Sequence, residues 1–267
     1  RMKGTILEKI VATRRLRVEA AKAAADVGSL TEIAKRTRSG AIQRRFASSL
    51  SDRSLINTIA EFKRASPSKG DINNMADPAE MARAYSDGGA SAISVLTEED
   101  HFGGSLDDLI RVRAAVDLPI LRKDFIFDEF QIVEAAAAGA DAILLIASML
   151  NDTEIARLRS LAEDKFGLDA LIEVHSFAEL ERAERAGAGL IGVNNRDLHS
   201  FDVSLDVSRD LIKHAPSNAI MVAESGLRTH EDLIELQRHG YSGFLIGESL
   251  MRSSDPAAEL RKLNGKG

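Results

Sequence analysis

The sequence predicts an α/β fold, a single closed (β/α)8 TIM barrel carrying an N-terminal helical extension. Three observations predict it. Short apolar runs recur through residues 57–251, amphipathic stretches with helix-start signals alternate with them, and several runs follow a glycine able to end a helix. The runs are NTIAEF (57–62), SAISVL (91–96), PILRKD (119–124), DAILLI (141–146), DALIEV (169–174), LIGVN (190–194), AIMVAE (219–224) and GFLIG (243–247). Near-continuous apolar runs belong to strands covered on both faces, as in a parallel sheet.

The extension comes first. Ile6, Leu7, Ile10 and Val11 are spaced for one helical face, and Ser29-Leu30-Thr31-Glu32 reads as the capping box of a second helix. Residues 1–50 hold too little apolar surface to fold alone. They are expected to pack on a barrel core of 57–251, with a C-terminal helix in 252–267, all within one domain of 1–267.

Each later helix has its own start signal. Asp77-Pro78-Ala79-Glu80 offers an N-cap, a proline at the first helical position and a carboxylate three residues after the cap. Asp128 to Gln131, Asn151 to Glu154 and Ser176 to Glu179 repeat the spacing, and Thr229 to Asp232 is a weaker version. Helix ends are marked by GGASAI, AGADAI, AGAGLI and HGYSGF. Eight alternating units have two main solutions, a closed barrel or an open doubly wound sheet. Close spacing, with no glycine fingerprint after the first strand, favours the barrel.

Composition narrows the chemistry. With 35 basic and 41 acidic residues the net charge is -6, which argues against a general nucleic-acid binder. No Cys is present, so disulfides, thiolate metal sites and cysteine nucleophiles are excluded. The six His (101, 175, 199, 214, 230, 239) show no ligand spacing, so no metal site is expected. The longest apolar stretch, Ala135 to Leu150, contains Gly139 and Asp141 and is too short to span a bilayer. No signal-peptide core stands near the start. A cytoplasmic protein that contacts neither membrane nor nucleic acid is expected, with Arg14, Arg15 and Arg17 as a solvated helix face.

In such a barrel the active site gathers at the C-terminal ends of the strands. Those ends read Glu61-Phe62-Lys63-Arg64-Ala65-Ser66, Arg122-Lys123-Asp124-Phe125, Glu173-Val174-His175, Asn194-Asn195-Arg196-Asp197, Glu224-Ser225-Gly226 and Gly247-Glu248. Period two puts Glu61 and Lys63 on one face of the first strand, with Ala60 and Phe62 turned to the helices. Leu121 with Lys123, Leu171 with Glu173 and Val222 with Glu224 pair in the same way. If these faces point inward, two ammonium groups and three carboxylates converge at the barrel mouth. A structural ion-pair network is the other reading. Burying such charges is costly unless they pair or meet a charged ligand, and a mixed cluster is a setting for catalytic pKa shifts. Ser225-Gly226 and Gly247-Glu248, after the seventh and eighth strands, stand where such barrels cradle phosphate. Phe102 and Phe125 are either core or an apolar wall for an aromatic substrate. His175 reads as a surface or hydrogen-bonded histidine.

These same residues resemble a known family. Ile59-Ala60-Glu61-Phe62-Lys63-Arg64-Ala65-Ser66-Pro67-Ser68 is similar to the first-strand signature of indole-3-glycerol phosphate synthases. Val95-Leu96-Thr97-Glu98-Glu99 with Phe102 and Gly103, Leu121-Arg122-Lys123-Asp124-Phe125, Leu171-Ile172-Glu173-Val174, Gly192-Val193-Asn194-Asn195-Arg196-Asp197-Leu198 and Ala223-Glu224-Ser225-Gly226 follow in family order.

The resemblance implies a carboxy-lyase of tryptophan biosynthesis that needs no cofactor or metal. It closes 1-(2-carboxyphenylamino)-1-deoxyribulose 5-phosphate to indole-3-glycerol phosphate with loss of CO₂ and water. The implied partner is therefore an anionic phosphosugar bearing an anthranilate ring, acted on by a monomer or weak homodimer open to association with other tryptophan-pathway enzymes. By the same resemblance Lys123 is the general acid toward the ribulose carbonyl and Glu173 the base of the dehydration. Lys63 binds the substrate carboxylate or phosphate and helps expel water, while Glu61 and Asn194 orient hydroxyls and lysines. Arg196 holds Glu61, Ser66 lies near the carboxylate end, Glu224 joins the substrate-binding set, and Ser225, Gly226 and Gly247 cradle phosphate. The acid role calls for a lysine whose pKa is lowered by a neighbouring ammonium or by desolvation. Two departures stand out: Glu248 occupies a place where some members have Ser, and the chain has no Trp for the aromatic contact from the extension. Phosphoribosylanthranilate isomerase, the nearest rival, uses a Cys that this chain lacks. A non-catalytic phosphosugar-binding barrel would show a broken set of strand-end charges.

Overall fold

The ring of strands closes because β1 (Asn57–Phe62) pairs on both its edges, with β2 (Ala92–Leu96) on one side and β8 (Gly243–Ile246) on the other. Between them run β3 (Ile120–Lys123), β4 (Ala142–Ile146), β5 (Asp169–Val174), β6 (Leu190–Asn194) and β7 (Ile220–Glu224). The eight pairings around the ring are parallel, giving a closed (β/α)8 barrel. The structure, a computed structural model, describes residues 5–198 and 200–266. Residues 1–4 of the expected extension, His199 and Gly267 lie outside them. Every strand falls within one residue of its expected bounds.

Two apolar layers follow from the period of two. Ile59, Leu121, Leu144, Leu171, Val222 and Leu245 point into the barrel and fill it. Ala60, Phe62, Ile143, Ile172 and Val193 point outward against the helices. Each large side chain so buried contributes about 1.5–3 kcal/mol. The inward positions therefore stack as apolar layers below and polar ones above.

Helices α1 (Ile6–Ala24), α2 (Val27–Arg38) and α3 (Arg45–Ser49) form the extension. The capping box expected at Ser29–Glu32 is corrected: α2 starts three residues earlier, with Asp26 as N-cap accepting from the Ser29 N–H. A short carboxylate ahead of the apolar spacing satisfies the orphan donors better than Ser29 inside the first turn. The short α3 carries Phe46, which joins Leu50 in the inner layer and closes the end of the barrel where the strands begin. There Asn57 Nδ2 donates to the Leu50 carbonyl and the Ala47 N–H donates to Asp169.

The solvated face expected for Arg14, Arg15 and Arg17 is corrected at Arg14, while Arg15 and Arg17 are exposed. Arg14 is only 4% exposed. Its Nε and Nη2 donate to the two oxygens of Asp124 at 2.9 and 2.6 Å, and Nη1 donates to Glu99 at 2.6 Å. Arg17 pairs with Asp100, and the Arg15 guanidinium lies 4.4 Å from the Phe127 ring centre. A planar guanidinium matches a carboxylate bidentately, so α1 is fastened to the residue that follows β3.

The barrel helices are α4 (Pro78–Asp87), α5 (Leu106–Ala115), α6 (Glu129–Ala138), α7 (Asp152–Ser160), α8 (Phe177–Arg185), α9 (Asp206–Leu211), α10 (His230–His239), α11 (Glu248–Arg252) and α12 (Pro256–Leu263). Reciprocal capping boxes form at Asp128–Gln131 and Asn151–Glu154, and also at Thr229–Asp232, where only a weaker version was expected. At Ser176 the box is half made: its side chain accepts from the Glu179 N–H, but Glu179 reaches back to the His175 N–H instead. The cap at Asp77 accepts from the Ala79 and Glu80 N–H groups without reciprocation from Glu80. No described helix is long and apolar enough to cross a membrane.

Candidate active site

On β1, β3, β5, β6 and β7 the inward alternation ends in a polar residue just where the apolar layers stop. Glu61, Lys123, Glu173, Asn194 and Glu224 all line one cavity at that end, with Lys63, Ser66 and Arg196. Glu61, Glu173 and Glu224 are buried. Lys123 is their common neighbour: Nζ lies 3.8 Å from Glu61 Oε2, 3.8 Å from Glu173 Oε2 and 3.7 Å from Glu224 Oε2. Lys63 Nζ pairs with the other oxygen of Glu61 at 2.9 Å. The two ammonium groups are therefore bridged by one carboxylate.

The electrostatics follow from that packing. Burial pulls the Lys123 pKa down, but the charges of Glu61, Glu224 and Glu173 outweigh it and hold it above the ordinary lysine value. The expectation of a lowered lysine pKa is thus corrected, because three carboxylates rather than the second ammonium surround Lys123. Burial pushes Glu61 up, yet Lys63 and then Lys123 more than offset it, so its carboxyl is held below the usual value. Glu224 goes the other way, well above the usual range. Burial is the main cause and the like charge of Glu173 the next, with Lys123 opposing only in part. Neither Glu224 oxygen has a hydrogen-bond partner.

Asn194 is fixed at three points. Its Nδ2 donates to Glu173 Oε1 at 3.2 Å, and its Oδ1 accepts from Ser225 Oγ at 2.8 Å and from the Arg196 N–H at 3.0 Å. The Ser225 hydroxyl is thereby committed to Asn194. Ser225 itself is left-handed at φ 67, followed by Gly226 at φ 78. A non-glycine residue there costs of order 1–3 kcal/mol and marks a turn fixed by its surroundings. A polar cavity opens beside this turn, lined by Gly226, Gly247, Ser249, Lys69, Arg228 and Arg252 among others. Its lining holds five cations, Lys63, Lys69, Arg196, Arg228 and Arg252, against three carboxylates, Glu61, Asp202 and Glu248, and that excess of positive charge suits an anion.

Several sequence expectations change in detail. Arg196 does not hold Glu61: its Nη1 donates to the Phe201 carbonyl, and Glu61 is held among the described residues by Lys63, Lys123 and Ser94. Glu248 lies 3.3 Å from Arg252 Nε and 3.6 Å from Lys69 Nζ. Phe102 and Phe125 line the cavity with ring centres 5.9 Å apart, so the wall reading describes their position. Gly247 makes room for Glu61, whose Oε1 would stand 2.9 Å from an added Cβ.

Other lining residues were not singled out from sequence. Ile6, Leu7 and Ile10 of α1 reach the cavity, as do Lys69, Leu198 and Phe201. The helical spacing of the first three carried a signal of packing, but not of what they pack over.

Comparison with known proteins agrees with the geometry. The family model described as indole-3-glycerol phosphate synthase matches residues 7–263. An indole-3-glycerol phosphate synthase of Carboxydothermus hydrogenoformans is 46% identical over 264 residues, covering 96% of this chain and 98% of that protein. One of Laribacter hongkongensis is 44% identical over 262 residues, covering 97% and 98%. Among solved structures, thiamine phosphate pyrophosphorylase from Pyrococcus furiosus superposes with a TM-score of 0.59 at 18% identity, covering 80% of this chain and 96% of that one, a likeness of fold alone.

Proposed function

That the chain belongs to the indole-3-glycerol phosphate synthase family is the premise from which we propose how its site divides the work. The enzyme is a carboxy-lyase of tryptophan biosynthesis. It joins the carboxylate-bearing ring carbon of 1-(2-carboxyphenylamino)-1-deoxyribulose 5-phosphate to the ribulose carbonyl carbon, then releases CO₂ and water to leave indole-3-glycerol phosphate.

Lys123 is the general acid. Attack on the carbonyl develops negative charge on its oxygen, and an ammonium held charged by three carboxylates stands ready to receive it. A raised pKa makes Lys123 a weak donor in the free protein but a dependable charge. Loss of CO₂ returns the electron pair to the ring and restores its aromaticity. The carbinol oxygen then leaves as water, its proton supplied by Lys63, while Glu173 takes a proton from the methylene beside the nitrogen. Asn194 fixes Glu173 Oε1 and so aims the other oxygen toward Lys123.

Binding follows from charge and shape. The phosphate lies against the Ser225–Gly226 turn and Gly247, where Arg228, Arg252 and Lys69 supply positive charge. The anthranilate ring lies against Phe102 and Phe125, with its carboxylate toward Lys63 and Ser66. Glu61 orients both lysines, and Glu224 faces the sugar hydroxyls. The reading extends to one domain over 1–267, working in the cytoplasm as a monomer or weak homodimer with room for association with other tryptophan-pathway enzymes.

The observation that carries the reading is the placement of Lys123 within 3.8 Å of Glu61, Glu173 and Glu224 at the mouth of the barrel. Its test is turnover of the carboxyphenylamino-deoxyribulose phosphate without added metal. Growth of indole fluorescence is expected, and a flat trace while the substrate survives contradicts it.

A further inference from the structure

Next to Glu173 stands a histidine that the division of roles above does not use. His175 is the first residue past β5, two after Glu173, and so returns to the same side of the chain. Its Nε2 lies 3.4 Å from Glu173 Oε1, an ion-pair distance outside hydrogen-bond geometry, and that buried nitrogen has no hydrogen-bond partner. Its Nδ1 lies 3.3 Å from Glu179 Oε2, and the same oxygen accepts the His175 backbone N–H at 2.7 Å. Glu179 therefore holds the ring from behind at Nδ1 and the backbone beside it at the N–H, while the free edge of the ring faces the carboxylate.

We infer that His175 is a positioning residue for Glu173: clamped by Glu179, its ring stands against Oε1 and leaves Oε2 to face Lys123 and the substrate. The half-made box at the start of α8 is the sequence trace of this arrangement. A reciprocal box would send the Glu179 side chain to the Ser176 N–H, but here it is diverted to His175. Glu173 Oε1 is then bracketed by Asn194 Nδ2 at 3.2 Å and His175 Nε2 at 3.4 Å.

The charged groups facing this ring are Glu173 from β5, Glu179 from α8 and Lys123 from β3, with Arg182 acting on Glu179 and Glu224 acting on Glu173. Burial pulls the imidazole pKa down, but the Glu179 hydrogen bond and the charges of Glu173 and Glu179 outweigh it and leave it raised, against the opposing charge of Lys123. The cationic form is favoured beside the carboxylate. A cation there attracts the carboxylate it stands against and so holds it in place.

The inference rests on the reading of Glu173 as the base, and its test separates the two. The pH dependence of kcat is measured by indole fluorescence for the parent, His175→Ala, His175→Gln and Glu173→Gln, with circular dichroism to check folding. His175→Ala is expected to lose roughly 10-fold in kcat with KM changed by less than about 2-fold, since misdirection of a reacting group acts on the chemical step. Its acid limb moves to higher pH, because removing a cation favours the protonated carboxyl. His175→Gln restores part of kcat as a neutral donor but leaves the limb displaced.

A profile superposable on the parent in either variant, or a uniform loss with the acid limb in place, overturns the inference. If His175→Ala does not fold, Glu179→Gln reads the same axis by releasing the clamp. If Glu173→Gln keeps the parent kcat, the base assignment fails too. If it is inactive while both His175 variants keep the parent profile, only the positioning role fails.

Discussion

Gly192 leaves the space that the Glu224 carboxylate occupies: a Cβ on Gly192 would stand 2.0 Å from Glu224 Oε1. The two sit on adjacent strands, β6 and β7, with Asn194 paired to Glu224 in the register. A glycine in the middle of a strand weakens it, and its presence here is explained by close approach rather than by a turn. Gly192→Ala is expected to push Glu224 off its position, costing about 1–3 kcal/mol in stability by overpacking together with a loss of kcat/KM. Urea unfolding and steady-state kinetics on the same preparation check both.

Glu224 is also where function and stability pull apart. Its folded-state pKa is raised above the unfolded value, so the folded protein binds the extra proton between the two. Stability from this group is therefore greatest at low pH and declines as pH rises from the unfolded pKa toward the raised one. Glu224→Gln imitates the protonated form at every pH. Its melting temperature should exceed the parent's at pH 8, by roughly 2–4 °C for each kcal/mol in a chain of this size, and the gap should shrink toward pH 5. Scanning calorimetry across that range measures it; a gap that widens toward pH 5 contradicts the assignment.

Arg14 gives the opposite sign. Burial pushes Asp124 up, but Arg122 and then Arg14 more than offset it and hold its carboxyl below the ordinary value. The stability this confers is present above the unfolded aspartate pKa and is lost as pH falls through the lowered folded one. Arg14→Ala leaves Arg122 as the one cation bonded to Asp124 among the described residues, beside the Thr97 hydroxyl and the Phe125 N–H, and should cost about 3–5 kcal/mol, as breaking a buried pair does. Denaturant unfolding near pH 7 checks the magnitude, and the deficit should narrow in acid.

The eight strands and their charged ends could be read from sequence because both depend on short-range rules. Apolar runs such as DAILLI mark strands buried on two faces, and period two fixes that Glu61 and Lys63 share a side. Arg14 could not be read this way. Its partner Asp124 is 110 residues away, and an arginine amid other basic residues has the local pattern of a solvated face. The direction of the Lys123 shift failed for the same reason: it depends on which of several strand-end charges stand nearest, a matter of barrel register and not of spacing. Asp26 was passed over for Ser29 because both precede the same apolar positions, and only the hydrogen bond from the Ser29 N–H decides between them.

Ser225 acts through Asn194. Removing its hydroxyl in Ser225→Ala leaves Asn194 Oδ1 with the Arg196 N–H alone and loosens the amide that aims Glu173. A lost hydrogen bond of about 1 kcal/mol corresponds to roughly a 5-fold fall in kcat, with phosphate affinity changed less. Product inhibition constants measured beside kcat separate the two effects.

Lys123 carries the central claim, because three carboxylates converge on it and the carbonyl has to be protonated there. The most direct measurement is turnover by Lys123→Ala, read as indole fluorescence, with calorimetric titration of indole-3-glycerol phosphate into the same variant. A fall in kcat of about 10²–10⁴-fold with the product still bound is the predicted result. Turnover near the parent rate with Lys123 gone would contradict the account.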